Sequence, residues 1–203
     1  IISNVNNLIE DHRIDIRDKQ EVEKVIQKCQ PDFVFHMAAQ ALVRTSYESP
    51  LETIEVNSLG SVNILEGIRT LKKPVVVVMI TSDKVYDNVE WIWGYRETDR
   101  LGGKDPYSAS KGMAELAIRS YVSSFFSSPD SNVRVGISRA GNVIGGGDWA
   151  KDRIVVDCVE VWSRGQSVEI RSPEATRPWQ HVLEPLSGYL NLAVGLSERT
   201  DLH

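Results

Sequence analysis

The chain has 203 residues, of which 41% are hydrophobic and 25% charged, so it is long enough for one sizeable core and ordinary for a globular protein. Its net charge of −5 gives no electrostatic case for nucleic-acid binding. Cys29 and Cys158 are far apart, and no residue spacing typical of a metal site occurs. Since no apolar stretch approaches the roughly 20 residues of a membrane span, we expect a cytoplasmic protein in a reducing compartment.

Strand and helix patterns alternate along the first 140 residues. The strand patterns cover 13–18, 31–39, 74–81 and 133–140. The helix patterns cover 19–29, 49–71 and 105–126. Four consecutive valines, 75–78, lie in the third strand pattern, which is typical of a strand covered on both faces. This order predicts an α/β fold, a Rossmann-like doubly wound parallel sheet.

The pattern changes after residue 140. A glycine-rich loop is followed by two further helix patterns, with a short strand pattern and a turn between them. We therefore expect residues 1–140 to form the sheet domain. Residues 141–203 would begin a smaller, loop-rich subdomain, with parts able to return to the sheet.

Polar residues follow the valine strand at the point where a ligand would bind. In open parallel sheets, ligands bind outside the carboxyl ends of the strands, which makes Ser82, Asp83 and Lys84 candidate site residues. Tyr107 and Lys111 are four residues apart on the next helix, so they share one face. We expect the Lys111 ammonium to lower the pKa of Tyr107, which could then take a proton from a substrate alcohol. The spacing is a weak signal alone, because it also occurs by chance on exposed helices.

Longer motifs carry a family resemblance. The segment "DPYSASKGMAE", preceded by a strand ending in "TSDKVY", resembles the extended short-chain dehydrogenase/reductase superfamily, as do "FHMAAQ" and "DIRD". Three further segments resemble the CDP-glucose 4,6-dehydratases within it: "DNVEWIWGYRETDRLGGKDPYSASK", "SRAGNVIGGGDWAKDRI" and "ATRPWQHVLEPLSGYL". The resemblance covers nearly the whole chain and implies an NAD-dependent lyase that acts on a nucleotide sugar.

The resemblance also implies a reaction and roles for the candidate residues. Tyr107, supported by Lys111, would deprotonate the glucose 4-hydroxyl while NAD oxidises C4. Ser82 would orient the sugar, and Asp83 would protonate the departing 6-hydroxyl. Lys84 replaces the glutamate of related dTDP-glucose and GDP-mannose dehydratases and matches the CDP-glucose group. As the base for the C5 proton it would need a lowered pKa; alternatively, it points to solvent or pairs with a carboxylate.

The same resemblance implies binding residues and partners. Residues expected to hold NAD, besides Tyr107 and Lys111, are Asp15, Ile16, Ala38, Ala39, Gln40 and Asn57. Residues expected to hold the substrate, besides Ser82, are Arg44, Asn142, Arg153 and Arg177. The superfamily further implies a homodimer or a dimer of dimers, and the CDP-glucose group implies bacterial O-antigen or dideoxyhexose synthesis, hence lipopolysaccharide.

Two alternatives stay open from the sequence. The chain could belong to another nucleotide-sugar dehydratase or to an epimerase, acting on a dTDP- or UDP-sugar, although epimerases lack the acid found at Asp83. The chain also begins with Ile1 and lacks the glycine-rich dinucleotide fingerprint. We therefore expect a fragment of a longer protein, and an inactive, truncated dinucleotide-binding fragment is the second alternative.

Overall fold

The computed structural model describes residues 7–150, 152–170 and 172–198. The helices are α1 Lys19–Cys29, α2 Val43–Glu48, α3 Pro50–Ile54, α4 Gly60–Arg69, α5 Pro106–Tyr121, α6 Ile154–Ser163 and α7 Leu183–Glu198. The strands are β1 Phe33–His36, β2 Val75–Ile80, β3 Val133–Ser138, β4 Asn142–Ile144 and β5 Trp179–His181. A π-helical segment, Glu55–Leu59, joins α3 to α4, and another, Val122–Phe126, extends α5.

Among the described residues, the main sheet has three parallel strands in the order β1-β2-β3. Val77 of β2 lies opposite Val34 of β1, and Val78 lies opposite Gly136 of β3. Helices connect successive strands, as parallel pairing requires. The predicted doubly wound parallel α/β fold is therefore confirmed. A second, two-stranded parallel sheet pairs β4 with β5.

Alternate residues of β2 face two separate hydrophobic clusters. Val75, Val77 and Met79 pack with residues of α1, α4 and α5. Val76 and Val78 pack on the opposite face with Tyr189, Ala193 and Leu196 of α7. Because both faces are covered, Val77 and Val78 are 0% exposed. This explains why the strand needs four consecutive valines rather than an alternating pattern.

The packing of α7 bears on the predicted division into 1–140 and 141–203. The helix belongs to the second segment, yet its buried residues cover one face of the sheet in the first. The division itself stays a prediction. Among the described residues, no helix has the length and apolar character needed to cross a membrane.

Three sequence-based expectations differ from the structure. The predicted strand 13–18 is irregular, because no described strand lies beside it to complete a hydrogen-bonded ladder. The short strand pattern around 167–170 is also irregular. The helix predicted over 49–71 is divided by the π-helical segment 55–59, which apolar periodicity does not reveal.

A buried histidine links the end of β1 to α4. His36 is 6% exposed, and its Nε2 lies 2.9 Å from Ser61 Oγ. The Ser61 hydroxyl donates to the Asn57 carbonyl oxygen at 2.7 Å, so it accepts from His36. The proton of the neutral imidazole is therefore on Nε2.

This histidine predicts a pH-dependent loss of stability. Burial, followed by repulsion from Lys111, lowers the pKa of His36 from 6.5 to about 4. As the pH falls from 6.5 to about 4, the unfolded chain takes up a proton that the folded chain does not bind. The free energy of unfolding should therefore fall by about 3 kcal/mol over this range from this group alone.

Urea unfolding across this pH range checks the prediction, with the full-length protein that carries this sequence and its His36→Gln variant. Glutamine keeps an N–H donor for Ser61 but does not titrate. We expect a smaller pH dependence in the variant. An equal dependence in both proteins would show that His36 does not carry the effect.

Candidate active site

The carboxyl ends of the three parallel strands meet at one edge of the main sheet. Chain segments 37–40, 81–84 and 139–142 follow β1, β2 and β3 there. Parallel strands bring these segments to a common edge, whereas antiparallel strands would divide them between two edges. This edge is the expected position of a ligand site in an open α/β sheet.

A single turn of 3₁₀-helix, Asp83–Val85, carries the polar residues after β2. The Ser82 hydroxyl caps this turn by accepting from the Lys84 amide at 3.2 Å. The Asp83 amide donates to the Ala140 carbonyl oxygen at 3.1 Å, which fixes the turn to the end of β3. Ser82 Oγ donates to Asp83 Oδ1 at 3.1 Å, and Lys84 Nζ lies 3.4 Å from Asp83 Oδ2. The Asp83 carboxylate thus contacts both a hydroxyl and an ammonium.

Helix α5 places Tyr107 and Lys111 opposite this turn. Asp105 caps the helix by accepting from the Ser108 amide at 2.9 Å, and Pro106 fills the first helical position. The Tyr107 amide donates to Ser46 Oγ of α2 at 3.2 Å. At Gly103, a Cβ would lie 2.3 Å from the Ala109 nitrogen, so the preceding loop packs directly on the helix backbone. The start of α5 is held on two sides.

Burial governs the electrostatics of Tyr107 and Lys111, which are 9% and 7% exposed. It raises the pKa of Tyr107 above 10.0, while hydrogen bonding from Ser82 lowers it and the Asp83 charge raises it. The net lowering of the Tyr107 pKa that we expected is therefore wrong, because desolvation of the phenolate has the largest effect. Burial also lowers the pKa of Lys111 from 10.5 to about 8.

Seven of the predicted site residues line one large cavity of about 810 Å³. They are Ser82, Asp83, Lys84, Tyr107, Asn142, Arg153 and Arg177. The volume lies within the usual range of small-molecule sites. Asn142 is positioned by β4, where its amide donates to the Pro178 carbonyl oxygen at 3.1 Å, and Arg177 lies just before β5. The two-stranded sheet therefore forms the far wall of the cavity.

Two of the predicted substrate arginines pair with carboxylates of the same loop. Arg153 Nε lies 3.6 Å from Asp148 Oδ2, and Arg44 Nε lies 3.4 Å from Asp152 Oδ2. Arg44 is outside the cavity lining, although its neighbour Val43 is part of it. Arg153 acts on the site through its charge, which lowers the pKa of Tyr107.

The segment after β1 is held by Asn57 of the π-helical segment. Its side-chain oxygen accepts from the Gln40 amide at 2.8 Å, and its nitrogen donates to the Gln40 carbonyl oxygen at 3.0 Å and to Ser110 Oγ at 2.9 Å. Ala38 and Ala39 immediately precede this point, and their small side chains leave the backbone accessible. These hydrogen bonds connect the segment after β1 to Ser110 of α5, the residue before Lys111.

Asp15 and Ile16 lie apart from the cavity. The Asp15 carboxylate accepts hydrogen bonds from the backbone and side chain of Arg17. These bonds lower its pKa. Ile16 packs against Gly60, where a Cβ would approach the isoleucine side chain to 2.6 Å. Both residues border α4 rather than the turn after β2.

Sequence reasoning missed the residues that support the site from behind. Glu115 and Arg139 form a buried ion pair next to Thr81. The signal for Glu115 was present, because it continues the four-residue spacing of Tyr107 and Lys111. No sequence pattern indicated its partner, since Arg139 is distant along the chain.

Comparison with known proteins places this chain in a family. A sequence profile described as GDP-mannose 4,6 dehydratase matches residues 2–189. The chain is 52% identical over 195 residues to CDP-glucose 4,6-dehydratase of Salmonella typhimurium, which covers 95% of this chain and 54% of that protein. It is 31% identical over 126 residues to CDP-paratose 2-epimerase of Salmonella typhi, covering 55% of this chain and 37% of that protein. The chain thus spans about half the length, or less, of these curated relatives.

Solved structures agree with the fold. UDP-glucose 4-epimerase of Thermus thermophilus, in complex with NAD, has a TM-score of 0.74 at 28% identity, over 92% of this chain and 60% of that one. dTDP-glucose 4,6-dehydratase of Streptomyces venezuelae, with NAD bound, has a TM-score of 0.77 at 24% identity, over 94% and 58%. Since the family profile matches most of the sequence, the chain belongs to the GDP-mannose 4,6 dehydratase family.

Proposed function

We propose that this chain carries the catalytic centre of an NAD-dependent CDP-glucose 4,6-dehydratase, a hydro-lyase that forms CDP-4-dehydro-6-deoxyglucose. The observation that carries the proposal is the convergence of Ser82, Asp83, Lys84 and Tyr107 on one cavity, with Lys111 behind the tyrosine. The 52% identity to the Salmonella typhimurium enzyme supports CDP-glucose as the substrate. The cytoplasmic location and the role in O-antigen synthesis belong to the same proposal.

The residues at the strand ends fit NAD. Within the described part of the chain, Lys111 Nζ has no hydrogen-bond or ion-pair partner, although the residue is 7% exposed. A largely buried lysine whose ammonium has no partner in the protein is suited to donate to a ligand, and the ribose hydroxyls of a dinucleotide would accept from it. Ala38, Ala39 and Gln40 would border the cofactor through accessible backbone, with Asn57 fixing their position. Asp15 and Ile16 would lie at its adenine end. NAD, when bound, supplies the redox chemistry by oxidising C4 and finally reducing C6.

Tyr107 is the proposed base for the sugar 4-hydroxyl. Its phenol lies within the cavity and in hydrogen-bonding contact with Ser82, which would hold the same substrate oxygen. Because burial raises the pKa of Tyr107, the phenolate needs positive charge nearby. With a pKa of about 8, Lys111 is mostly charged at neutral pH and provides that charge.

Asp83 and Lys84 are the proposed acid and base of the elimination. Lys84 must be neutral to remove the C5 proton, and Asp83 must be protonated to release the 6-hydroxyl as water. Their side chains are 3.4 Å apart, so one proton shift from the ammonium to the carboxylate produces both required forms.

The substrate diphosphate would bind near Arg153 and Arg177, with Asn142 beside the sugar. Both arginines line the cavity that contains the turn after β2. A guanidinium suits this role because it can donate two parallel hydrogen bonds to phosphate oxygens. Arg44 would assist from the cavity edge after releasing Asp152.

The substrate assignment predicts a preference that steady-state kinetics can measure. The full-length protein that carries this sequence should consume CDP-glucose, when NAD is bound, with a higher kcat/KM than dTDP-glucose or UDP-glucose. The product is a 4-keto sugar that absorbs in alkali. Faster turnover of dTDP-glucose would overturn CDP as the substrate. No turnover of any of the three by folded, NAD-loaded protein would overturn the dehydratase function.

A Lys84→Met variant should separate oxidation from elimination. Methionine keeps most of the length of the unbranched side chain but cannot take a proton. We expect C4 oxidation to continue while exchange of the C5 proton with deuterated solvent slows by about 10²–10⁴-fold. Lys72→Met, at an exposed site away from the cavity, is the matched control. Normal C5 exchange in Lys84→Met would exclude Lys84 as the base.

The proposed assembly is a homodimer whose interface is formed by α5 and the helices packed beside it. Helices α2, α3 and α5 pack together, and they and the adjoining π-helical segment expose apolar side chains: Tyr47, Leu51, Leu59, Met113 and Leu116. Exposed apolar surface of this kind is typical of a protein interface. A Leu116→Glu variant should therefore shift the full-length protein from dimer to monomer in analytical ultracentrifugation. Leu8→Glu, also at an exposed leucine, should leave the mass unchanged. A dimeric Leu116→Glu variant would contradict this interface.

A further inference from the structure

A buried carboxylate lies directly behind the candidate site. Glu115 of α5 is 0% exposed and accepts four hydrogen bonds. Its Oε2 accepts from Arg139 Nε at 2.9 Å and from Thr81 Oγ1 at 3.2 Å. Its Oε1 accepts from Arg119 Nη2 at 2.8 Å and also from Arg139 Nη2. Burial alone would raise the pKa of Glu115, but the two arginines lower it below 4.5, so the carboxylate is charged.

This ion pair holds the catalytic turn at both of its ends. Thr81, which bonds to Glu115, immediately precedes Ser82. Tyr86 immediately follows the turn, and the Arg139 guanidinium lies 4.6 Å from the centre of its ring. Arg139 also precedes Ala140, whose carbonyl oxygen accepts from the Asp83 amide. The residues before, within and after the turn are therefore attached to one buried pair.

The same pair ties the turn to the helix that carries the other site residues. Glu115 follows Lys111 by four residues and Tyr107 by eight, so all three lie along one face of α5. The distance from Tyr107 and Lys111 to Asp83 and Lys84 depends on how β2 and β3 sit against α5. Glu115 and Arg139 form a charged link across that junction.

The cost of this pair argues for a geometric role. Burying two charges has a desolvation penalty that often cancels their attraction, and apolar residues of similar volume usually stabilise a fold equally well. A bidentate guanidinium, however, defines both distance and orientation. Arg139 Nη1 is buried without a hydrogen-bond partner among the described residues. The pair therefore fixes the orientation of the segments that it joins, and its desolvation lowers the free energy of unfolding.

We propose that Glu115 and Arg139 are positioning residues for the elimination step, which set the turn that carries Asp83 and Lys84 relative to Tyr107 and Lys111. This inference rests on the proposed dehydratase function. C4 oxidation depends mainly on Tyr107 and Lys111, which share one rigid helix, and Ser82 is its one contact from the end of β2. Elimination also uses Asp83 and Lys84, which reach the sugar from the turn across the junction. Loosening the junction therefore slows elimination more than oxidation.

Glu115→Gln in the full-length, NAD-loaded protein tests the proposal. Glutamine keeps the shape but removes the charge that holds Arg139. A displacement of about 1 Å can cost about 10²-fold in rate. We expect exchange of the C5 proton with deuterated solvent to slow by about that factor, with C4 oxidation much less affected. Reduced nicotinamide should consequently accumulate during turnover. Equal slowing of both steps would overturn the proposal.

Glu66→Gln is the matched control. Glu66 is also a carboxylate held by an arginine, since Arg69 Nε donates to it at 2.9 Å, but it lies on α4 away from the turn. Glu66→Gln should keep the wild-type ratio of the two rates. The same change of ratio in both variants would show a general effect of lost ion pairs and contradict a positioning role.

Thr81→Val provides a second variant in case Glu115→Gln does not fold. It removes one link to the turn but leaves the buried ion pair intact. C5 exchange should slow selectively, and Thr81→Ser, which restores the hydroxyl, should recover it. Unchanged C5 exchange in Thr81→Val, or no recovery in Thr81→Ser, would overturn the proposal.

Amide hydrogen exchange separates this inference from the proposed function. Peptides that cover residues 81–86 should exchange faster in Glu115→Gln, or in Thr81→Val if the first does not fold, than in wild type or Glu66→Gln. Unchanged exchange would overturn the positioning role whatever the substrate is. An inactive wild type with faster exchange in the variant would instead reject the dehydratase function and leave the structural role of the pair supported.

Discussion

The burial of β2 on both faces is the constraint on which the rest of the structure depends. Its valines are covered by α4 and α5 on one face and by α7 on the other. Strand β1 is hydrogen-bonded to one edge of β2 and strand β3 to the other. A strand enclosed in this way cannot present polar side chains along its length. Polar residues can therefore appear only where the strand ends, and all of them appear there together, from Thr81 to Lys84. The chemistry at the sheet edge is a consequence of the core beneath it.

Much of this fold could be predicted because its strongest patterns are local. The valine run and the spacing of Tyr107 and Lys111 each depend on a few neighbouring residues, and the structure has the expected strand and helix in each place. Residues 13–18 show the limit, because a strand exists only if another strand lies beside it. The ion pair of Glu115 and Arg139 could not be predicted for the same reason, because only the packing of β2, β3 and α5 brings the two residues together.

The electrostatic expectation for Tyr107 was wrong for a related reason. Helical spacing gives the distance between a tyrosine and a lysine but not the dielectric around them. In the structure, burial acts on both groups and moves each towards its neutral form, so the pKa of the tyrosine rises and that of the lysine falls to about 8. Burial therefore opposes the formation of a phenolate at Tyr107.

This resistance gives Ser82 and Arg153 a meaning beyond binding. Both lower the pKa of Tyr107, Ser82 by hydrogen bonding and Arg153 through its charge. A diphosphate bound to Arg153 would neutralise part of that charge, so the arginine alone cannot sustain a phenolate once substrate is present. Lys111 is buried and is not among the cavity-lining residues, so under the proposed function a bound diphosphate would neutralise its charge less than that of Arg153. Under the proposed function, the more exposed Arg153 would hold the nucleotide, and the buried Lys111 would support the base.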